Sequence, residues 1–521
     1  MKTIEEHLCL NADRYPEKPA VVTPEQQLTY RELHQAVCEK AEALSDRKGQ
    51  AVVFASSRPI DFLVTYLAIH RAGAIAVPLD KDAPPRRFRA IEEQLSTETF
   101  AHDTADVLYT TGTTGRPKGV VISHKAIMAD AANLIAAQGY RHDTVFIVCG
   151  PLSHFGSLSK VFPTIVCGAT LYLLQGMTDL NAFFRALDYP SRRLATFLVP
   201  ANIRMLVLLA AKRLQRYADK LDFIETGAAP IAPDDMSRLC ALLPRTRLYN
   251  TYASTETGII ATFDYNDTCI GGCVGHAMPH SRFFITDKGT IACQGATLMT
   301  RYAGDPELTR QILHDDTLFT ADLGHIDEEG RLCIIGREDD IINIGGYKVA
   351  PTEVEAAALA LPGIVDCICT AVPHPVTGSA LKLLFVAEPS SVPDTKVIAR
   401  HLATLLEAYK VPALYEQTDH IRRTFNGKLD RKAHPQPLPR EGREPLPTPP
   451  KERRPSLRAN DEQYMINKNR PCELKYSQGL FAYYSPLLGR GAGERLQSPP
   501  PFGGGWGAAF LKTGRAHRQA S

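Results

Sequence analysis

Up to about residue 434, apolar positions along the chain fall into two alternating rhythms. Short β-rich runs such as "AVVFA" (51–55), "TVFIVCG" (144–150), "ATLYLL" (169–174) and "ATFLVP" (195–200) predict strands. Between them, "RPIDFLVTYLAIHRAG" (58–73) and "HKAIMADAANLIAAQG" (124–139) read as helices. Strands alternating with helices predict an α/β fold built in layers. The pattern breaks near "GREDDIINIGGYK" (336–348) and restarts as a compact unit. That unit reads helix "TEVEAAALAL", strands "DCICTAV" and "ALKLLFVA", then helix "TKVIARHLATLLEAY". Thr352 and Glu355 have capping-box spacing, and Leu361-Pro362-Gly363 stops the first of these helices. The expectation is a large multi-layer N-terminal domain over 1–338, with β-sheets flanked by helices, and a small mobile α+β domain over 339–434.

Past residue 434 the rhythm stops. Residues 435–521 hold 13 of the chain's 37 prolines and the run "SPPPFGGGWG", a composition that predicts a disordered tail. That tail carries 14 Lys+Arg against 7 Asp+Glu, which leaves 45 against 50 in the residues before it. The net charge of the 521-residue chain is only +2, so neither nucleic acid nor a membrane surface is expected as a main partner. A hydrophobic content of 44% is ordinary for a globular protein, and no apolar run reaches the length of a membrane span. The start, "MKTIEEHLCLNADRYPEK", is broken by polar residues and unlike a signal peptide, so the cytoplasm is the expected compartment. Twelve cysteines are scattered without a C-x-x-C pair. Cys269/Cys273 and Cys367/Cys369 are close but lack a matching Cys or His cluster, so buried reduced thiols are expected and metal ligation is not.

One stretch carries candidate chemistry. "LYTTGTTGRPKGVVISH" (108–124) places four threonines, three glycines and a lysine between two apolar segments. Glycines let the backbone approach a ligand closely, and successive N–H groups with hydroxyls form a concave donor surface for phosphate. Lys118 adds positive charge at the end of the run. The run is not a Walker P-loop, because Pro117 precedes Lys118 and Gly119 follows it. Its context differs as well, since 107–111 and 120–123 both read as strands before a helix begins at about Lys125.

With the loop, the break and the small domain together, residues 1–434 resemble the adenylate-forming superfamily of acyl-CoA synthetases, luciferases and nonribosomal peptide synthetase adenylation domains. "LTYRELHQAV" (28–37) and "AVPLDKDAPPRR" (76–87) are similar to its two N-terminal motifs. "NTYASTETG" (250–258), "FTADLG" (319–324), "GREDDIINIGGYKVAPTEVE" (336–355) and "RTFNGKLDR" (423–431) follow in the family's order. The resemblance implies ATP, Mg²⁺ and coenzyme A, or the phosphopantetheine of a separate carrier protein, as cofactors and cosubstrates. It assigns Thr110, Thr111, Gly112, Thr113, Thr114, Gly115 and Lys118 to the phosphate loop. Gly227, Ala228 and Ala229 would line the adenine, Tyr252 would stack on it, and Thr255 would bond the α-phosphate. Glu256 would ligate Mg²⁺ as a hard oxygen donor. Asp322 would accept from the ribose hydroxyls with Arg337 beside it, and Asp339 would be the hinge between the two domains. Lys428 would reach the carboxylate and the α-phosphate as a catalytic residue.

The implied reaction is AMP-forming acid–thiol ligation: a carboxylic acid becomes an acyl-adenylate, then a thioester. "GPLSHFGSLSKVF" (150–162) is similar to the motif where the acyl pocket meets the phosphates, with His154 at the aromatic gate position. Amino-acid-activating relatives carry Asp immediately after the gate; here Phe155 stands there, and a buried ammonium without a partner would be costly. An uncharged-tail acid, aliphatic or aromatic, is therefore expected. Where the family has a further β–α–β stretch before the phosphate loop, only "STETFAHDTAD" (96–106) intervenes, which predicts a compact, active variant. Two alternatives stand beside a coenzyme A ligase. One is a stand-alone enzyme loading a separate carrier protein. The other is a non-catalytic nucleotide-binding scaffold, which would need a broken catalytic position, yet Lys118, Glu256, Asp322, Arg337 and Lys428 are all present.

Overall fold

Burial accounts for both rhythms. In the computed structural model, which describes residues 2–111, 117–177, 179–266, 272–388, 391–423, 429 and 431, the helical run at 58–73 forms the helix Pro59–Arg71. Its residues Phe62, Leu63, Val64, Tyr66, Leu67, Ala68 and Ile69 are all buried, as befits a helix that is apolar nearly all round. The run at 124–139 forms the helix His124–Gln138, begun by Ser123, whose Oγ accepts from the Ala126 N–H, and ended by Gly139 in the left-handed conformation. The β-rich runs become the strands Ala51–Phe54, Val145–Val148, Thr170–Leu173 and Leu194–Phe197.

Six strands pair in parallel in the order Pro19–Val22, Thr170–Leu173, Val145–Val148, Leu194–Phe197, Leu221–Gly227 and Arg247–Ser254. The sheet continues in antiparallel pairing through Gly258–Asp264, Cys273–Ala277, Leu332–Arg337, Thr317–Ile326, Thr290–Gly295 and Ser281–Ile285. A second sheet holds five strands: Arg301–Tyr302, Pro117–Ser123, Thr104–Thr111, Ile75–Pro78 and Ala51–Phe54. The shortened stretch before the phosphate loop falls in this sheet. Ile75–Pro78 pairs directly with Thr104–Thr111 through Ala76 and Asp106, and the helix Pro85–Ser96 makes the whole crossover. The short segment therefore leaves this sheet continuous.

After the strand Leu332–Arg337 come a 3₁₀ turn, Glu338–Asp340, and a hairpin of Ile342–Ile344 with Tyr347–Val349. The strands Ile364–His374, Gly378–Ala387 and Leu414–Gln417 then form a small sheet with the helices Pro351–Leu359 and Thr395–Leu405. The capping box expected of Thr352 and Glu355 does not form. The helix is capped by Ala350 with Pro351 in its first turn, and Thr352 Oγ1 donates instead to the Ile335 carbonyl at 2.9 Å. Glu355 is buried and serves a distant partner, Arg431. The expectation of reduced thiols throughout also needs correction: Cys273 and Cys333 lie opposite each other on adjacent antiparallel strands and are disulfide-bonded. The chain divides into two compact units, Met1–Gly442 and Arg443–Ser521. The second, with most of the expected tail, lies outside the described residues.

Candidate active site

The carboxyl ends of parallel strands are where ligands bind in open α/β sheets, because the chain leaves room there for backbone donors. Gly227 ends one such strand in register with Thr251 on the next. A Cβ at Gly227 would lie 2.7 Å from the Thr251 carbonyl oxygen, so only glycine lets these backbones run this close. Ala228 follows with φ of +67°, a left-handed conformation that non-glycine residues rarely adopt and that clusters at ligand-facing turns.

Tyr252, on the strand Arg247–Ser254, is buried and its hydroxyl donates to Asp322 Oδ2 at 2.7 Å. Burial first, and then the Asp322 charge, push the Tyr252 phenol well above its ordinary pKa, so it stays a donor. Asp322 faces Arg337 across the antiparallel pair, with Arg337 Nη1 3.4 Å from Asp322 Oδ1. The sequence-predicted group Tyr252, Asp322 and Arg337 is thus brought together.

A second group forms around Glu256. The turn that carries Thr255 and Glu256 is stapled by reciprocal bonds: the Ser254 N–H donates to Thr257 Oγ1 and the Thr257 N–H to Ser254 Oγ, each at 3.0 Å. Gly258 leaves this turn at φ +66°, where a Cβ would sit 2.6 Å from the Thr297 carbonyl oxygen. Tyr302, which the sequence did not single out, donates its hydroxyl to Glu256 Oε1 at 3.0 Å. Lys118 Nζ stands 5.4 Å from the centre of the Tyr302 ring, in cation–π range. The Tyr302 phenol is raised by burial and then by Glu256, while Arg337 pulls it the other way. Arg337 therefore acts electrostatically on both groups. Mg²⁺ takes hard oxygen donors and keeps several waters, and the Glu256 carboxylate fits that demand.

His154 Nε2 lies 3.0 Å from Asp80 Oδ1, and Ser153 Oγ donates to the same carboxylate. Burial works to raise the Asp80 pKa, but these two hydrogen bonds, with the charges of His154 and Arg87, hold the carboxyl below its ordinary value. Asp80 belongs to the motif run at 76–87, and that membership was the only signal for it. Thr110 pairs with Lys118 at the neck of the loop. The loop residues Gly112, Thr113, Thr114 and Gly115, the side chain of Thr111, and Lys428 lie outside the described residues. Three residues past Lys428, Arg431 forms a forked ion pair with Glu355 at 2.6 and 3.0 Å, and its Nε lies 3.4 Å from Asp340.

The strand end at Gly227, the Asp322–Arg337 pair beside buried Tyr252, and the Glu256–Tyr302 group with Lys118 are the sequence-predicted positions that the described residues bring together. The chain belongs to the AMP-binding enzyme family: the model of that family matches residues 9–100 and 91–302, and that of the AMP-binding enzyme C-terminal domain matches 353–428. The two N-terminal stretches overlap at 91–100, just where the chain runs short before the loop. Among curated relatives, a 2-succinylbenzoate–CoA ligase of Bacillus cereus is 25% identical over 83% of this chain and 98% of its own length. A feruloyl-CoA synthase of an Amycolatopsis species is 27% identical over 77% of this chain and 92% of its own. The crystal structure of ATP-bound MatB from Rhodopseudomonas palustris superposes with a TM-score of 0.73 at 24% identity, covering 83% of this chain and 98% of that one, and shows the shared fold. No helix among the described residues is long and apolar enough to cross a membrane.

Proposed function

We propose that the protein activates an uncharged-tail carboxylic acid with ATP and transfers the acyl group to a thiol, with coenzyme A as the acceptor. The observation that carries this reading is that Tyr252, Asp322 and Arg337 form one group and Glu256, Tyr302 and Lys118 a second. Asp322 accepts from the ribose hydroxyls, Tyr252 supports the adenine against the backbone of Gly227, Ala228 and Ala229, and the hairpin from Thr110 to Lys118 wraps the phosphates. A substrate carboxylate oxygen attacks the α-phosphorus, and pyrophosphate leaves. Negative charge grows on the phosphate oxygens, and Lys118, Thr255 and Lys428 are the groups that would stabilise it. Mg²⁺ held by Glu256 supplies further charge neutralisation when bound. The acyl-adenylate then meets the thiol, whose sulfur attacks the carbonyl and expels AMP. We place a hinge at Asp339, dividing 1–338 from 339–434, because the two steps need two arrangements of the small domain.

For the acid, Phe155 is buried where amino-acid activators carry Asp. Lys160, a turn further on and also buried, is paired with Glu225 at 2.7 Å and is not free to hold a second carboxylate. His154, held by Asp80, gates this pocket. A separate carrier protein is the alternative acceptor, and ATP with coenzyme A as cosubstrates fits the cytoplasm. The test is acid-dependent exchange of labelled pyrophosphate into ATP over aliphatic, aromatic and α-amino acids, with and without coenzyme A. Exchange with uncharged-tail acids and thioester formation with coenzyme A are expected. Exchange with no acid at all leaves the scaffold reading standing; exchange only with α-amino acids removes the substrate class.

A further inference from the structure

Behind the phosphate-loop sheet, three helices bring together a group that neither reaction step uses. Glu5 lies in the first turn of Ile4–Arg14, His70 in the last turn of Pro59–Arg71, and His124 opens His124–Gln138. One ligand-capable atom from each of the three lies within 4.8 Å of the other two. The geometry points to a binding site for a divalent transition cation of the zinc class, held by Glu5, His70 and His124 and oriented by Asp106.

Asp106 supplies the main argument. It is wholly buried on the strand Thr104–Thr111; its Oδ2 accepts from the Tyr66 hydroxyl and its Oδ1 meets His70 Nε2, both at 2.9 Å. A carboxylate can only accept, so Nε2 carries a proton toward Asp106, and Nδ1 is the ring nitrogen left to meet a ligand once it is deprotonated. That Nδ1 is buried with no hydrogen-bond partner, on a side chain with 0% exposure. Glu5 Oε2 is likewise buried and unpartnered. Two buried polar atoms without partners, in residues whose ligand atoms lie within 4.8 Å of one another, cost free energy that a cation bound between them would offset. The His124 ring meets the His70 ring edge-on, with centroids 5.0 Å apart. A carboxylate holding the far nitrogen of a ligand histidine is the usual outer support of such sites.

Two nitrogens and a carboxylate oxygen suit zinc, and three protein ligands leave a fourth position for water. Tetrahedral ligands at about 2.0–2.1 Å lie roughly 3.3 Å apart, so the three donors need to close by no more than about an ångström and a half from the 4.8 Å bound. Glu5 and His124 are only partly buried, which leaves an entry path. The ligands stand 54 and 65 positions apart along the chain, so no motif spacing announces them.

The experiment uses the tag-free full chain, stripped with a chelator and titrated with Co²⁺ and then Zn²⁺ in excess Mg²⁺. About one equivalent of Co²⁺ should enter with visible bands of a four- or five-coordinate nitrogen and oxygen site, and Zn²⁺ should displace it and raise the Tm. Glu5→Gln and His124→Asn should each weaken uptake beyond the tenfold to hundredfold typical of losing an outer partner. Pyrophosphate exchange by the metal-free variants checks that they fold, since neither residue touches the nucleotide site. No stoichiometric uptake by the wild type, or equal uptake by both variants, overturns the proposal. So does a thiolate-to-cobalt charge-transfer band, which would put the ion on a free cysteine and not on Glu5, His70 and His124.

Discussion

Asp130 shows how one residue can set a pH limit on the whole site. It is buried in the helix His124–Gln138, and its Oδ1 accepts from the Ile259 N–H at 2.8 Å, on the strand that leaves the Glu256 turn. Burial raises its pKa to about 8, against the lowering effects of the Ile259 bond and of Lys160, whose charge is already shared with Glu225. In the unfolded chain the same carboxyl titrates near about 4. Between those values the folded state binds more protons than the unfolded one, so stability falls as pH rises through the window and levels off above it. Asp130→Asn keeps an acceptor for Ile259 and cannot ionise. Its Tm is expected to decline less between pH 6 and 9 than that of the wild type, while the two converge at low pH. A parallel decline in both proteins, followed by thermal melts, would show that Asp130 is not the group responsible.

Elements bind to one another here through pairs that local pattern does not reveal. Contiguous runs such as "NTYASTETG" and "FTADLG" were legible, because a turn and its flanking strands are encoded within nine residues or fewer. His154 with Asp80, Tyr302 with Glu256 and Arg431 with Glu355 were not, since partners 74, 46 and 76 positions apart share no period. Glu355 was misread for the same reason. Its spacing from Thr352 suits a helix cap, but burial and the distant guanidinium override the local preference. The pair ties the segment that carries Lys428 to the helix Pro351–Leu359. Glu355→Gln leaves Arg431 half-buried with Asp340 as its remaining counter-charge, and is expected to cost about 3 kcal/mol in denaturant unfolding. It should also slow adenylate formation while sparing thioester formation from pre-made acyl-adenylate. Replacing both partners, as Glu355→Leu with Arg431→Met, should recover most of the stability and none of the adenylation. Recovery of both would mean that the pair supports the fold without positioning Lys428.

At the scale of the whole molecule, the question is how one site serves two reactions. Asp339 and Asp340 are adjacent acids, a pattern more often read as a base or a metal ligand. Their surroundings separate them: Asp339 Oδ2 lies 3.9 Å from Arg337 Nη2, and Asp340 Oδ2 lies 3.4 Å from Arg431 Nε. Each faces a different arginine across the 3₁₀ turn Glu338–Asp340: Asp339 faces Arg337, and Asp340 faces Arg431, which is paired with Glu355. Neither reaction step calls for a dedicated base, because the acid is ionised near neutral pH and a thiol of pKa about 8.5 supplies some thiolate unaided. What the cycle does need is a backbone position that can switch. Proline holds φ near about −65° and disfavours helical φ/ψ at the residue before it, so Asp339→Pro should restrict the backbone rearrangement that a hinge needs. The expected outcome is substantial pyrophosphate exchange with most thioester formation lost, whereas Asp339→Ala keeps both half-reactions. Measuring the half-reactions separately in the two variants decides between a hinge and a chemical carboxylate. If Asp339→Ala abolishes exchange in a protein that still binds ATP, the carboxylate takes part in the chemistry and the turn is not the switch.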